Sequence, residues 1–347
     1  MISPFFSHLL IPFLVAMFLA INMGGSGTGP SFSAAYGANT IRRFKIPGLF
    51  GIFVFVGALV AGKRVALTMG RDMLDPDEMT LVVTTIVLLA VALSLFLANL
   101  LSVPQSTSQS AVFSLAGAAL YLKNFNTHKL FTEIIPIWFL LPLAGFFFML
   151  FICVLYDYFN RRWPHLKEKL GNPKLSRILI LLSACYVAFA IGANNVANAS
   201  GPLAGMVTNE LGIDPADEKS FLVIAILTTL LIAPCFAIGS SLLGFRVVKT
   251  TGKGITSFGR NGAIAISFVT ASLLLLVSVT KGIPTSLVQL NAFAIMALSI
   301  HKEGWQKTIF HRTLQKFWTV WLLAPSFAFI TSYLLVMLAD HLGMLLI

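Results

Sequence analysis

Pro104-Gln105-Ser106-Thr107-Ser108-Gln109 and, 180 residues later, Pro284-Thr285-Ser286-Leu287-Val288-Gln289 are two versions of one pattern. Each sets a proline, hydroxyl side chains and a glutamine between long apolar runs. Proline is favoured in the first turn of a helix, where its missing N–H is no loss, so each stretch reads as a helix N-terminus. Free backbone N–H groups and the positive end of the helix dipole make such a place suited to an anion. A capping serine with incidental polar neighbours would explain one copy; the pattern is present in both halves.

Two further anchors repeat around it. Gly62-Lys63-Arg64-Val65 with Thr68 and Gly70 matches Gly244-Phe245-Arg246-Val247 with Thr250 and Gly252 at an offset of 182, and Trp138 with Pro142 matches Trp321 with Pro325 at 183. A weaker match pairs Gly24-Gly25-Ser26-Gly27 with Gly192-Ala193-Asn194-Asn195 at 168, the shift reflecting a longer loop at 208–219. The chain therefore reads as a duplication: a first repeat over 1–156, a basic linker over 157–177 and a second repeat over 178–347.

Composition says where that duplication lives. Of 347 residues 57% are hydrophobic and only 11% charged, against about 25% charged in a soluble domain. Apolar runs fall near 9–23, 46–62, 79–102, 110–122 and 134–156, and again near 178–193, 221–245, 261–280, 284–300 and 318–339. Most approach the ~20 residues that cross a bilayer core. The expected fold class is an all-α polytopic membrane protein with about five crossings per repeat, broken or re-entrant where the repeats meet. The net charge of +11 then marks cytoplasmic loops rather than nucleic-acid binding. Cys153, Cys185 and Cys235 lie inside apolar runs at no ligand-like spacing, which leaves no disulfide framework or metal site to expect. No Lys or Arg precedes Arg42, so the first run reads as a retained span rather than a cleaved signal.

Loop charges give the relative orientation of the halves. Residues 39–46 carry net +3 and the matching 209–219 net −3; 63–78 carry −1 against +4 for 245–260; 123–133 carry +1 against +3 for 301–316. The bias changes in every pair, as it does when equivalent loops lie on opposite sides of the membrane. Five crossings per half invert the second repeat, place the linker in the cytoplasm and leave both termini outside. Inverted repeats of this kind belong to secondary transporters, with the substrate site where the repeats meet.

Irregular backbone survives in a bilayer only when buried in protein or lining a cavity. Asn22-Met23-Gly24-Gly25-Ser26-Gly27-Thr28-Gly29-Pro30 and the stretch Ile191 to Pro202, with Asn194, Asn195 and Asn198, are expected to interrupt their helices. Close helix packing explains glycines as well; it explains three asparagines in five residues poorly. The expected substrate contacts are Gly25, Ser26, Gly27, Thr28, Ser106, Thr107, Ser108, Gln109, Asn194, Asn195, Asn198, Thr285, Ser286 and Gln289. No carboxylate or histidine falls in the middle of an apolar run, which argues against a proton relay through an intramembrane acid and against an enzyme using acid-bound magnesium.

Gly192-Ala193-Asn194-Asn195-Val196-Ala197-Asn198-Ala199 resembles the Gly-Ala-Asn-Asp-Val-Ala-Asn-Ala signature of the inorganic phosphate transporter (PiT) family. The two proline-hydroxyl stretches resemble that family's Pro-Val-Ser-Thr-Thr-His/Gln motif, which also occurs once per half. Asn195 stands where the family has an aspartate, and in the degenerate first copy Gly27 does; that form is similar to the sulfate permease (CysP-type) branch. The resemblance implies a homodimer in the bacterial inner membrane that imports an oxyanion. The family's aspartates are implicated in sodium and phosphate binding, so their loss leaves the coupling ion, H+ or Na+, open; no cofactor is implied. Sulfate is a dianion without a proton and only accepts hydrogen bonds, so neutral Ser, Thr, Asn and Gln donors suit it and a carboxylate would repel it. The expectation is sulfate import; phosphate, thiosulfate, molybdate, or an anion channel are the alternatives.

Overall fold

The computed structural model describes residues 4–100, 105–163, 172–214, 216–245, 248, 259–309 and 312–345, and over them the chain is helical. Pro104, Arg246, Lys249 and residues 164–171 of the basic linker lie outside the described residues. In order the helices are α1 (Pro4–Gly37), α2 (Ile46–Ala61), α3 (Lys63–Leu67), α4 (Leu81–Leu100), α5 (Thr107–Leu122) and α6 (Ile135–Arg162). They continue with α7 (Pro173–Asn195), α8 (Ala197–Glu210), α9 (Glu218–Gly239), α10 (Gly259–Thr280), α11 (Leu287–Glu303), α12 (Trp305–Ile309) and α13 (Arg312–His341).

Eight helical stretches among the described residues are long and apolar enough to cross a bilayer. The other two expected spans are α5 and α11, of 16 and 17 residues. At 1.5 Å per residue they reach only about 24–26 Å, short of a ~30 Å hydrocarbon core. Each is the return arm of a helical hairpin. Phe125, just past α5, pairs with Leu74, and Asn124 Nδ2 donates to Glu78 Oε1 at 2.7 Å, so α4 begins and α5 ends on one side of the molecule. The serines that open the arms behave alike: Ser106 and Ser286 sit at φ, ψ of −85°, 103° and −89°, 106°, and each side chain accepts from the backbone N–H of the glutamine three residues on.

The glycine-rich stretch of α1 differs from expectation. α1 is continuous from Pro4 to Gly37, straight through Gly24–Gly29; in the second half the helical pattern is interrupted at Val196 alone, between α7 and α8, and Val196 itself keeps helical φ, ψ of −59° and −37°. The reason is close packing. A Cβ on Gly24 would overlap the Phe236 carbonyl of α9, and one on Gly239 of α9 would overlap the Ile21 carbonyl of α1. The same exchange joins α7 to α2, through Gly192 against Val54 and Gly57 against Phe189. With the backbone hydrogen-bonded inside its own helix, these glycines let two helices meet backbone to backbone rather than unwind.

Outside this frame the hairpins are held crosswise. α4 and α5 pack on α13, and Gly117 of α5 meets the Phe329 backbone there; α10 and α11 pack on α6. Phe146, Met149 and Cys153 of α6, Ile266 and Val269 of α10, and Ala294, Ala297 and Leu298 of α11 form a small core separate from the main one. Phe139, Leu140, Phe147, Phe148 and Phe151 of α6 remain exposed, as a lipid-facing surface must be. α6 also runs six residues past the expected boundary at 156, so the linker starts as helix.

Charge separates between the two ends. One end gathers Arg42, Arg43, Lys45, Arg161, Arg162, Lys174, Arg177 and Arg260, tied together by Arg43 over the Phe245 ring (3.7 Å), Asn261 on Tyr156 (3.2 Å) and His301 on Asp157 (2.8 Å). The other gathers Asp72, Asp77, Glu78, Glu133, Asp217, Glu218 and Asp340, with Lys63, Arg64 and Lys129. There Asp217 caps α9, and hydrogen bonds from the Ser220 side chain and backbone hold its carboxyl below the usual range.

Candidate functional site

The helix break at Val196 and the opening turns of α5 and α11 converge on Asn194. Its Nδ2 donates to Ser278 Oγ (2.8 Å) and to the Ile283 carbonyl (3.2 Å); its Oδ1 accepts from the Thr285 backbone N–H (3.0 Å) and from Ser108 Oγ (3.2 Å). Asn198 Nδ2 donates to Ser108 Oγ at 3.0 Å, one turn further along. Asn194 thus clasps the α10–α11 turn on one side and the start of α5 on the other. All of these side chains are buried.

A second clasp joins the arms directly. Gln109 Nε2 donates to Gln289 Oε1 and Gln289 Nε2 donates to Gln109 Oε1, both at 3.1 Å. The two hairpin tips therefore meet through their matching glutamines, beside the serine caps. Trp138 of α6 donates from Nε1 to the Pro284 carbonyl at 2.8 Å and stacks on Phe113 of α5, fixing the α11 tip from behind. Gln105 donates to Ser94 Oγ and Ser110 Oγ, both at 3.1 Å, fixing the α5 tip in the same way.

Three amide oxygens in this region, on Gln105, Asn195 and Asn198, are buried and accept no hydrogen bond. An amide's O and N are exchanged by rotation at no steric cost. Rotating Asn198 turns its Nδ2 toward the unpaired position, and Ser108, whose single hydroxyl proton goes to Asn194 in this structure, then donates to Asn198 instead, so a donor is exposed at the cost of the Ser108–Asn194 bond. Every side chain in the cluster is neutral. Its chemistry is that of a purely hydrogen-bonding site with two helix N-termini beside it, suited to an anion.

Of the residues expected from sequence, Ser106, Thr107, Ser108, Gln109, Asn194, Asn198, Thr285, Ser286 and Gln289 are buried around the α5 and α11 tips, with Asn195 half-buried at the break. The other four make their contacts elsewhere. Ser26 Oγ donates to the Met23 carbonyl (3.1 Å) and Thr28 Oγ1 to the Gly24 carbonyl (2.6 Å), within α1 itself. Gly25 lies against Leu243, and Gly27 against Phe50 and Ile191. Ser278, the Ile283 carbonyl and Gln105 were not among the expected contacts. Ser278 sits in an apolar run that nothing marks, and the carbonyl has no sequence signal at all. α1 does supply Asn22, whose Oδ1 accepts from Asn99 Nδ2 at the end of α4 (3.3 Å).

The model of the phosphate transporter family matches residues 23–332. Among curated relatives, the sulfate permease CysP of Bacillus subtilis (strain 168) is 32% identical over 331 residues, covering 95% of this chain and 87% of that protein. A putative phosphate permease of Thermococcus kodakarensis is 24% identical over 367 residues, covering 84% and 88%. A solved structure, the sodium-dependent phosphate transporter, superposes with a TM-score of 0.81 at 21% identity over 96% of this chain and 99% of that one.

Proposed function

Since this chain belongs to the phosphate transporter family, whose members among its relatives are permeases and not enzymes, we propose that it imports sulfate across the bacterial inner membrane by alternating access. The observation that carries the reading is the neutral, donor-rich cluster around Asn194, where Asn195 replaces the expected carboxylate. On this reading a tetrahedral dianion takes Ser106, Ser108, Asn194, Asn198, Thr285, Ser286 and the Gln109–Gln289 pair as donors between the α5 and α11 N-termini, in exchange for the hydrogen bonds these groups make to one another in this structure.

The same reading makes residues 1–156 and 178–347 inverted repeats joined by 157–177. The crosswise exchange of α1–α9 for α7–α2, and of the two hairpins, supports it. The basic end is then cytoplasmic. On this reading both termini lie outside, supported by α1 reaching the basic end at Gly37 and α13 reaching the acidic end at Asp340. A homodimer completes the reading.

Phosphate is a second reading, favoured by the unpaired buried oxygens of Asn195 and Asn198, which could accept the proton that phosphate retains at neutral pH. Uptake of radiolabelled sulfate into proteoliposomes, with pH, sodium and voltage varied separately and phosphate as competitor, decides between them. Accumulation of sulfate against its gradient, unaffected by excess phosphate, is expected. Phosphate accumulation without sulfate uptake would reverse the assignment, and flux that follows voltage without accumulation would make the protein a channel.

A further inference from the structure

On the acidic end the chain passes from exposed residues to the cluster within a single turn. Thr280 and Lys281 are exposed; Gly282 is buried; the Ile283 carbonyl already accepts from Asn194. Asn194 and Trp138 hold this short wall from within, at Ile283, Pro284 and Thr285, and Arg64 holds it from the exposed side. Arg64, on α3, donates from Nη1 to the Thr280 carbonyl at 2.7 Å, at the C-terminus of α10 where carbonyls lack helical partners. The turn also rests on the Arg64 backbone. Gly282 has φ +65°, and a Cβ there would stand 2.6 Å from the Arg64 carbonyl. α3 is seated in turn on α8, the helix of Asn198, since Gly201 packs against Ala66 and Met69.

We propose that Arg64 is the outer latch of the transport path, a positioning residue that holds the 281–286 turn closed over the cluster. A neutral carbonyl is its partner in this structure, and a guanidinium bonds a dianion in bidentate fashion far more strongly. An oxyanion arriving at the acidic end, where Arg64 is exposed, takes the guanidinium from Thr280 and frees the turn that covers the cluster. The side that opens rests on the orientation and substrate proposed above; the latch itself rests on the Arg64–Thr280–Gly282 geometry.

The test is a cysteine at Ile283, between latch and cluster, in proteoliposomes exposed to a membrane-impermeant thiol reagent. A cysteine at Thr285 serves as an independent reporter, and the buried native Cys153, Cys185 and Cys235 give the background. Arg64→Gln is expected to raise external labelling roughly tenfold, the weight of one hydrogen bond from a charged group. Arg64→Lys, which can still donate to Thr280, holds labelling near the parent rate. Gly282→Ala lifts the turn by its added methyl and raises labelling with Arg64 intact. Sodium sulfate accelerates labelling of the parent and leaves Arg64→Gln unchanged. Equal labelling of Arg64→Gln and the parent by both reporters overturns the latch. A rise seen only with reagent inside keeps the latch and overturns the orientation; acceleration by sodium phosphate and not by sulfate keeps it and overturns the sulfate reading.

Discussion

Gly24-Gly25-Ser26-Gly27 on α1 and Gly192-Ala193-Asn194-Asn195 on α7 hold matching places and do different things. Gly24 and Gly192 each bring a helix against the backbone of its partner, at Phe236 and Val54. Two residues on, Ser26 returns its hydroxyl to its own helix, whereas Asn194 reaches out to Ser108, Ser278, Ile283 and Thr285. The crossing is a demand of the fold and appears in both halves. The amide chemistry is a demand of the site and appears in one.

The largest effects should therefore be shared by the halves. Gly24→Ala and Gly192→Ala each place a methyl on a backbone carbonyl, an overpacking that costs about 1–3 kcal/mol or more. Both are expected to lose most of the folded protein, read as monodisperse yield in mild detergent. Tolerance of one and not the other would show that the two crossings are not equivalent.

Next comes a pair that should separate the halves. Asn194→Ala removes four hydrogen bonds and is expected to weaken sulfate binding about ten- to a hundred-fold, the weight of one hydrogen bond to a charged group. Ser26→Ala is expected to leave binding unchanged. Titration calorimetry on the purified protein checks both, and a loss from Ser26→Ala would return α1 to the site.

Asn195→Asp tests why no carboxylate stands at the break. Charged, it repels a dianion; protonated, as burial favours, it becomes a donor. Sulfate uptake should drop about tenfold at neutral pH, one pKa unit of repulsion, and recover in acid, while phosphate loses less. An equal loss for both anions at every pH would detach the neutral cluster from the choice of sulfate. The smallest expected effect is again symmetric: Ser106→Ala and Ser286→Ala each remove a helix cap worth about 1 kcal/mol, visible as matching decreases in thermal stability.

Much of this was legible in the sequence. The duplicated proline-hydroxyl stretches announced two helix starts, and Ser106 and Ser286 do cap α5 and α11. The membrane-spanning runs followed from hydropathy, because a bilayer leaves no other use for so many apolar residues. What was not legible depends on neighbours. A run of glycines reads as a break or as a packing face, and only Phe236 and Leu243 across from Gly24 and Gly25 decide between them. Ten apolar runs read alike as crossings, whereas eight helical stretches among the described residues are long enough to cross and α5 and α11 are shorter, at 16 and 17 residues. Ser278 looked incidental, since its partner Asn194 lies 84 residues away along the chain, and Arg64 read as a span-end cation facing headgroups or guiding an anion, since its partner, the Thr280 carbonyl, lies 216 residues away.

The glycine contacts also have a mechanical meaning. Where Gly24, Gly57, Gly192, Gly239 and Gly117 press on a neighbouring backbone, sliding by one residue drives a Cβ into space that holds only a hydrogen, so those joints act as rivets. The seam between α6 and the α10–α11 hairpin has no such joint: Gly145 leaves ordinary side-chain distances of 3.5 and 3.6 Å to Leu273 and Leu290. Shear along that seam costs the repacking of side chains and the polar ties from Trp138 to the Pro284 carbonyl, from Asn261 to Tyr156 and from His301 to Asp157. The hairpin that carries Thr285 and Gln289 is thereby bolted to α6 by side chains rather than riveted by backbone, with Trp138 as the bolt nearest its tip.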